Sequence, residues 1–190
     1  MSTWSPDAFA KAWHFASLQH AGQTYAGPEE GMTFDYLTHV GSVAAEIIWA
    51  LQTTPDADGN LAVQCAILHD VIEDTGATYD LVSEAFGKAV ADGVMALSKD
   101  PALSTKAEQM ADSLRRIRQQ PREIWMVKMA DRIANLDPPP HYWDDARIET
   151  YRQEAITIHD ALHAANAALA NRLQEKIGQY KRFLRVPTDE

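Results

Sequence analysis

The chain has 190 residues, 46% of them apolar and 23% charged, the balance of a globular domain and not of a disordered, collagen-like or low-complexity chain. At this length a chain buries roughly 70% of the surface it exposes when unfolded, so a core needs no cross-links. Cys65, the single cysteine, rules out an intrachain disulfide and fits a reducing, cytoplasmic compartment. The N-terminus carries Asp7 and no basic residue ahead of an apolar run, unlike a secretory signal. No stretch approaches the ~18 uninterrupted apolar residues of a membrane span. The formal charge is −10, and it is unevenly placed. Residues 1–100 hold three lysines against 14 carboxylates, whereas residues 101–190 hold 14 basic and 13 acidic residues. An acidic surface repels a phosphate backbone, which argues against nucleic acid as a partner. If the substrate is a small phosphorylated compound, its cationic contacts should come mostly from the second half, and metal ligation is one use for the acids of the first.

In chain order, Ser5-Pro6 signals a helix start, and Phe9, Ala12, Trp13, Ala16 and Leu18 give a helical face up to about Gln19. Val43, Ile47, Ile48 and Leu51 predict a second helix ending before the turn-rich run Thr53–Asn60. Leu61 to Ile72 is almost wholly apolar and predicts one buried helix. Short helices follow at Tyr79–Phe86 and Lys88–Leu97, then a polar helix from Thr105 to Arg118. Pro121 opens a helix carrying Ile124, Val127, Met129, Ala130, Ile133 and Leu136, which stops at Pro138-Pro139-Pro140. Trp143 to Leu184 is Ala-rich and periodic: two helices or one bent one. No period-two strand, fixed repeat or domain boundary is visible. The expected fold is all-α, a helical bundle forming one domain over residues 1–190.

Three spacings carry chemistry. His69-Asp70 closes the buried run and is followed by Glu73 and Asp74, which on a continuous helix stacks His69 over Glu73 and Asp70 over Asp74. An imidazole and three carboxylates at the end of a buried helix are costly unless a cation neutralises them, although a solvated helix end is the plainer reading of any His-Asp pair alone. Lys128-Met129-Ala130-Asp131-Arg132 places Asn135 one turn beyond Asp131. His39 stands at the expected start of the second helix. Two imidazoles and two carboxylates form a mixed nitrogen and oxygen donor set that suits Mn²⁺, Fe²⁺ or Zn²⁺ better than Ca²⁺. The remaining histidines are less informative. Only His159 and His163 share i, i+4 spacing, which reads as a solvated or interface face, and Arg115, Arg116, Arg118 and Arg122 read as a solvated helix.

The order His39, His69-Asp70, Asp131 resembles the ligand order of the HD metal-dependent phosphohydrolases. Over most of its length the chain further resembles the hydrolase domain of the RelA/SpoT family, above all its single-domain small alarmone hydrolases. Ala66 to Thr75 with Phe86-Gly87, Phe15-Ala16 with His20-Ala21-Gly22-Gln23, and Val127 to Arg132 with Asn135 carry the likeness. The resemblance implies an HD-domain bundle with His39, His69, Asp70 and Asp131 as ligands of Mn²⁺, or of Fe²⁺ or Zn²⁺. It implies hydrolysis of the 3′-pyrophosphate of guanosine tetra- and pentaphosphate to GDP or GTP and pyrophosphate. Glu73 and Asp74 would then orient water and take its proton. Lys106, Arg147 and Tyr151 would contact substrate, with Asn135 beside Asp131 and Lys128 or Arg132 as further phosphate contacts.

Two positions depart from the family's pattern. Thr24-Tyr25-Ala26 stands where a basic residue usually packs on the guanine, and Val40 replaces the proline after the first metal histidine. Tyr25 can still stack on a base, so base selectivity is the open quantity. An HD phosphohydrolase for an adenine alarmone or a nicotinamide dinucleotide phosphate is the alternative. A non-catalytic nucleotide-binding module is the other class, and retention of Glu73 and Asp74 argues against it. Neither oligomeric state nor protein partner is legible.

Overall fold

A computed structural model describes residues 4–185. Helix α1 (Pro6–Gln19) begins where Ser5 Oγ accepts the N–H groups of Asp7 at 3.2 Å and Ala8 at 3.4 Å. Strands β1 (Thr24–Ala26) and β2 (Thr33–Asp35) pair antiparallel with Tyr25 opposite Phe34. No strand is expected here from the sequence, because three residues are too few for alternation to register. Helix α2 (Tyr36–Leu51) follows the hairpin directly and carries His39 in its first turn.

Helix α3 (Gly59–Leu68) is the centre of the bundle. Asp58 caps it by accepting the Leu61 N–H at 3.0 Å, and Leu61, Ala62, Val63, Cys65, Ala66, Ile67 and Leu68 are all buried. Helix α1, helix α2, α6 (Lys88–Leu97) and α8 (Arg122–Asn135) pack around it. The expected single helix over Leu61–Ile72 is not what forms. Helix α3 stops at Leu68, Asp70 takes φ −105° and ψ −1°, and a one-turn helix α4 (Val71–Asp74) resumes. In an unbroken helix neighbouring side chains point about 100° apart. The break instead lets His69 and Asp70 turn toward one point.

Helix α5 (Tyr79–Phe86) and α6 are divided by Gly87, whose φ of +87° is a conformation that glycine adopts without a Cβ clash. Helix α7 (Lys106–Ile117) starts with a reciprocal Thr105–Glu108 capping box. On α8, Ile124, Met126, Val127, Met129, Ala130 and Ile133 are fully buried. The Ala-rich end forms two helices, α9 (Asp145–Leu162) and α10 (Ala167–Tyr180). They part at a 3₁₀ turn and at Asn166, whose side chain accepts the Leu169 N–H at 2.8 Å. The fold is thus all-α apart from the small hairpin.

The packing of α3, α6 and α8 depends on one missing side chain. A Cβ at Gly93 would lie 2.5 Å from Ile124 Cδ1 and 2.9 Å from Cys65 Sγ, both in the core. Gly93→Ala is expected to destabilise the fold by about 1–3 kcal/mol despite the better helix propensity of alanine. Urea unfolding followed by circular dichroism measures this, and an unchanged midpoint would refute the close approach.

Candidate active site

Three elements bring the four sequence-predicted ligands together: α2 supplies His39, the α3–α4 break supplies His69 and Asp70, and α8 supplies Asp131. The His39 and His69 Nε2 atoms are 3.1 Å apart. Asp70 Oδ2 lies 2.8 Å from His69 Nε2 and 3.7 Å from His39 Nε2. Asp131 Oδ1 lies 3.5 Å from His39 Nε2 and 3.8 Å from His69 Nε2. Donors about 2.1 Å from a common ion are themselves about 3.0–3.4 Å apart, and the observed spacings bracket that value. The donor chemistry agrees. His69 Nδ1 donates to the Ala66 carbonyl at 2.8 Å, which leaves Nε2 facing the cluster, the nitrogen that a cation would take in place of a proton. Two buried imidazoles facing nitrogen to nitrogen are better explained by a shared cation than by one hydrogen bond.

Charge around the cluster is compensated by the protein's own groups. Burial disfavours the imidazolium of His69, but the Asp70 and Asp131 carboxylates outweigh it and hold its pKa up to about 9. Burial likewise opposes ionisation of Asp131, yet the Lys128 ammonium and the two imidazoles keep it well below the usual carboxylate range. Lys128 Nζ donates to Asp131 Oδ2 at 2.9 Å, and Asn135 Nδ2 donates to Oδ1 at 2.6 Å. The i, i+3 and i, i+4 spacings on α8 therefore aim the carboxylate at the histidines.

Glu73 and Asp74 do not share one environment. Glu73 does not stack on His69, because the helix is broken between them; it accepts from Lys99 Nζ at 2.5 Å and from the Lys99 N–H at 2.8 Å. Asp74 accepts from the Tyr36 hydroxyl at 3.0 Å. Half-buried and near the Asp70 charge, its carboxyl is pushed above the ordinary value. The same Tyr36 hydroxyl donates to Asp70. Burial first, then Asp70, raises the Tyr36 phenol, which keeps its proton for both carboxylates.

The cluster opens on a cleft of about 480 Å³ whose walls include Asp70, Glu73, Asp74 and Asp131 together with Lys99, Lys106, Lys128, Arg132 and Arg147. Among the described residues Lys106 and Arg147 have no ion-pair partner. Arg147 lies over the Trp143 ring at 4.5 Å. Arg132 is buried, with its guanidinium 4.0 Å from the Tyr151 ring and a 3.3 Å contact to Glu154. Tyr36, Asn135, Trp143 and Tyr151 line both this cleft and an adjoining chamber of about 290 Å³, where Tyr25 and the Pro138–Pro140 break lie. Tyr25 therefore does not share the cleft with Lys106 and Arg147.

Sequence reasoning missed Tyr36 and Lys99. Tyr36 had a signal, since it precedes His39 by three residues on α2 and so shares its face. Lys99 had none, being the last lysine of the acidic half and 26 residues from Glu73. The arginines read as solvated include one that is not: Arg116 donates to the carbonyls of Met95, Ala96 and Ser98, closing the C-terminus of α6.

Comparison with known proteins places this geometry. Residues 12–174 match the HD domain. Guanosine-3′,5′-bis(diphosphate) 3′-pyrophosphohydrolase MESH1 of Danio rerio is 29% identical over 166 residues, covering 85% of this chain and 88% of that protein. The Drosophila melanogaster protein of the same name is 28% identical over 179 residues, covering 92% and 96%. A solved structure, described as a metazoan ortholog of SpoT that hydrolyzes ppGpp and plays a role in starvation responses, superposes with a TM-score of 0.78 at 26% identity. It covers 96% of this chain and 99% of that one. Matched over most of its length, and with its paired histidines and aspartates converging on one cleft, this chain belongs to the HD-domain family.

Proposed function

We propose that the cleft hydrolyses the 3′-pyrophosphate of guanosine 3′,5′-bis(diphosphate) and its pentaphosphate analogue, releasing pyrophosphate and GDP or GTP, with Mn²⁺ as the resident metal. The observation that carries this reading is the juxtaposition of the His39, His69 and Asp70 cluster, with Asp131 Oδ1 3.5–3.8 Å from its two imidazoles, and Lys106 and Arg147, which have no ion-pair partner among the described residues, on the walls of the same cleft. The names of the relatives agree with it. Burial of Cys65 as a free thiol is consistent with a cytoplasmic setting.

His39, His69, Asp70 and Asp131 would hold the metal. When bound, a divalent cation supplies positive charge that acidifies a water and offsets charge on a phosphoryl oxygen. The protein's side chains do the rest. Lys106 and Arg147 bind the diphosphate, and Tyr151 and Asn135 line its approach. Burial pushes the Tyr151 phenol up to about 12, so it stays a donor at neutral pH. Asp74, with its raised pKa and Tyr36 hydrogen bond, accepts the proton of the attacking water. Glu73, fixed by Lys99, orients that water. Phosphoryl transfer needs little more than such positioning and charge stabilisation.

The direct test is pyrophosphate release by the Mn²⁺-loaded protein from a panel of guanine and adenine 3′-pyrophosphorylated nucleotides and dinucleotide phosphates. Release from the guanine compounds is expected. Turnover of only another base, or of a 2′-phosphate, would transfer the reading to a different nucleotide, and no turnover by metal-replete protein would refute the hydrolase. Asp131→Ala should lose bound metal and activity together. Glu73→Gln and Asp74→Asn should retain metal, measured by elemental analysis, while each loses on the order of 10²-fold or more in kcat; full activity in either would remove that residue from the mechanism.

Lys128 yields a stability prediction. It is the ammonium partner of buried Asp131, and removing one partner of a buried pair typically costs about 3–5 kcal/mol. Lys128→Met is expected to lower the melting temperature of metal-free protein well below wild type, and added Mn²⁺ is expected to recover most of the loss. A thermal melt with and without metal checks both, and equal melting of the two metal-free proteins would contradict the role given to Lys128.

A further inference from the structure

The segment His20-Ala21-Gly22-Gln23 lines neither the cleft nor the adjoining chamber, yet it is built around an imidazole that is only 3% exposed. His20 ends α1, its N–H donating to the Ala16 carbonyl at 2.9 Å. Gly22, at φ +77°, turns the chain so that the Gln23 N–H reaches the His20 carbonyl at 3.0 Å. Two contacts tie this turn to α2. The Gln23 carbonyl accepts the Tyr36 N–H at 3.0 Å, and the His20 ring stacks on the Tyr36 ring at 4.7 Å and 26°. His20 Nδ1 donates to Gln23 Oε1 at 2.6 Å, which sets the plane of the imidazole. Its other nitrogen, Nε2, is buried with no hydrogen-bond partner among the described residues. A polar atom orphaned at that depth lowers stability, a loss that a phenyl ring in the same place would not incur.

Building on the reading above, we propose that His20 and Gln23 are positioning residues that act through Tyr36 on Asp70 and Asp74. The Tyr36 hydroxyl contacts both carboxylates, one a candidate metal ligand and the other the candidate base. The direction of one phenol therefore sets how the two stand to each other. A hydroxyl at the end of a ring is aimed by the plane of that ring, and here His20 stacks on the ring while His39 meets it edge-on at 5.6 Å. Gln23 anchors the imidazole through its side chain and the first residue of α2 through its carbonyl, so the ring and the backbone of Tyr36 both depend on one turn. Reacting groups need to be held within about 0.5 Å, and neighbours that never touch substrate supply that restraint. The orphaned Nε2 is the local penalty of using an imidazole, with its anchoring N–H, where a purely apolar ring would pack without one.

A double-mutant cycle of His20→Phe and Tyr36→Phe tests this, read as kcat for pyrophosphate release from guanosine 3′,5′-bis(diphosphate) and as calorimetric affinity for Mn²⁺. Tyr36→Phe should lower both by about tenfold to a hundredfold. His20→Phe keeps an aromatic face but loses the anchor, and it should lower both by about threefold to tenfold. The same variant should melt, without metal, at or above the wild-type temperature, because the orphaned nitrogen is gone. Gln23→Met leaves the His20 ring in place without its acceptor; it should show the same losses, and it carries the test should His20→Phe fail to fold. In the Tyr36→Phe background His20→Phe should lower either quantity by less than about twofold, since the hydroxyl through which it acts is absent. A purely structural role would persist there. Wild-type kcat and Mn²⁺ affinity in His20→Phe, or an undiminished loss beside Tyr36→Phe, would overturn the proposal. Absence of turnover by wild type would refute the hydrolase reading and not this one. The cycle in Mn²⁺ affinity then decides: coupling between the two positions supports the proposal, and additivity overturns it.

Discussion

The rest of this fold is arranged around the burial of Asp131 against two imidazoles, with the partly exposed Asp70 beside them. Asp131 is 7% exposed, His39 8% and His69 2%, and carboxylates at that depth are tolerated only where cations and donors meet them. Lys128 and Asn135 fix one carboxylate, the Tyr36 hydroxyl and the histidines fix the other, and three separate elements must pack correctly for the donors to meet. The broken end of α3 serves this arrangement. Continuing the helix through Ile72 would have satisfied more backbone hydrogen bonds, but it would have turned Asp70 away from His69.

Around that centre the chain sorts its charge in space. The acidic first half delivers His39, His69, Asp70, Glu73 and Asp74, and the basic second half delivers Lys106, Lys128, Arg132 and Arg147 to the same cleft. Lys99, from the acidic half, is the exception, and it is occupied in holding Glu73. Glu73 and Asp74 are adjacent in the chain yet differ in environment: an ammonium and an amide hold one, a phenol holds the other. The neighbouring chamber is lined mostly by aromatic rings and prolines, with Asp137 and His39 as its other ionisable groups.

Much of this was legible in the chain. The apolar run of α3, the capping signal at Ser5, and the proline stop after α8 are local properties, set by side-chain entropy, capping chemistry and periodicity. The candidate donors were legible from the order His39, His69-Asp70, Asp131, which resembles that of the HD phosphohydrolases, and not from any one spacing alone. What spacing cannot carry is contact between distant elements. The stacking of His69 on Glu73 assumed an unbroken helix, and the hairpin at Tyr25 was too short to announce itself.

The amino-acid order by itself determined an all-α bundle, its buried helices and the candidate donors, since each follows from interactions within a few turns of chain. Only the tertiary structure decided that Lys99 would hold Glu73 and that Tyr36 would join Asp70 to Asp74. These pairings link residues on different elements, and their energies depend on burial and orientation that exist once the helices have packed.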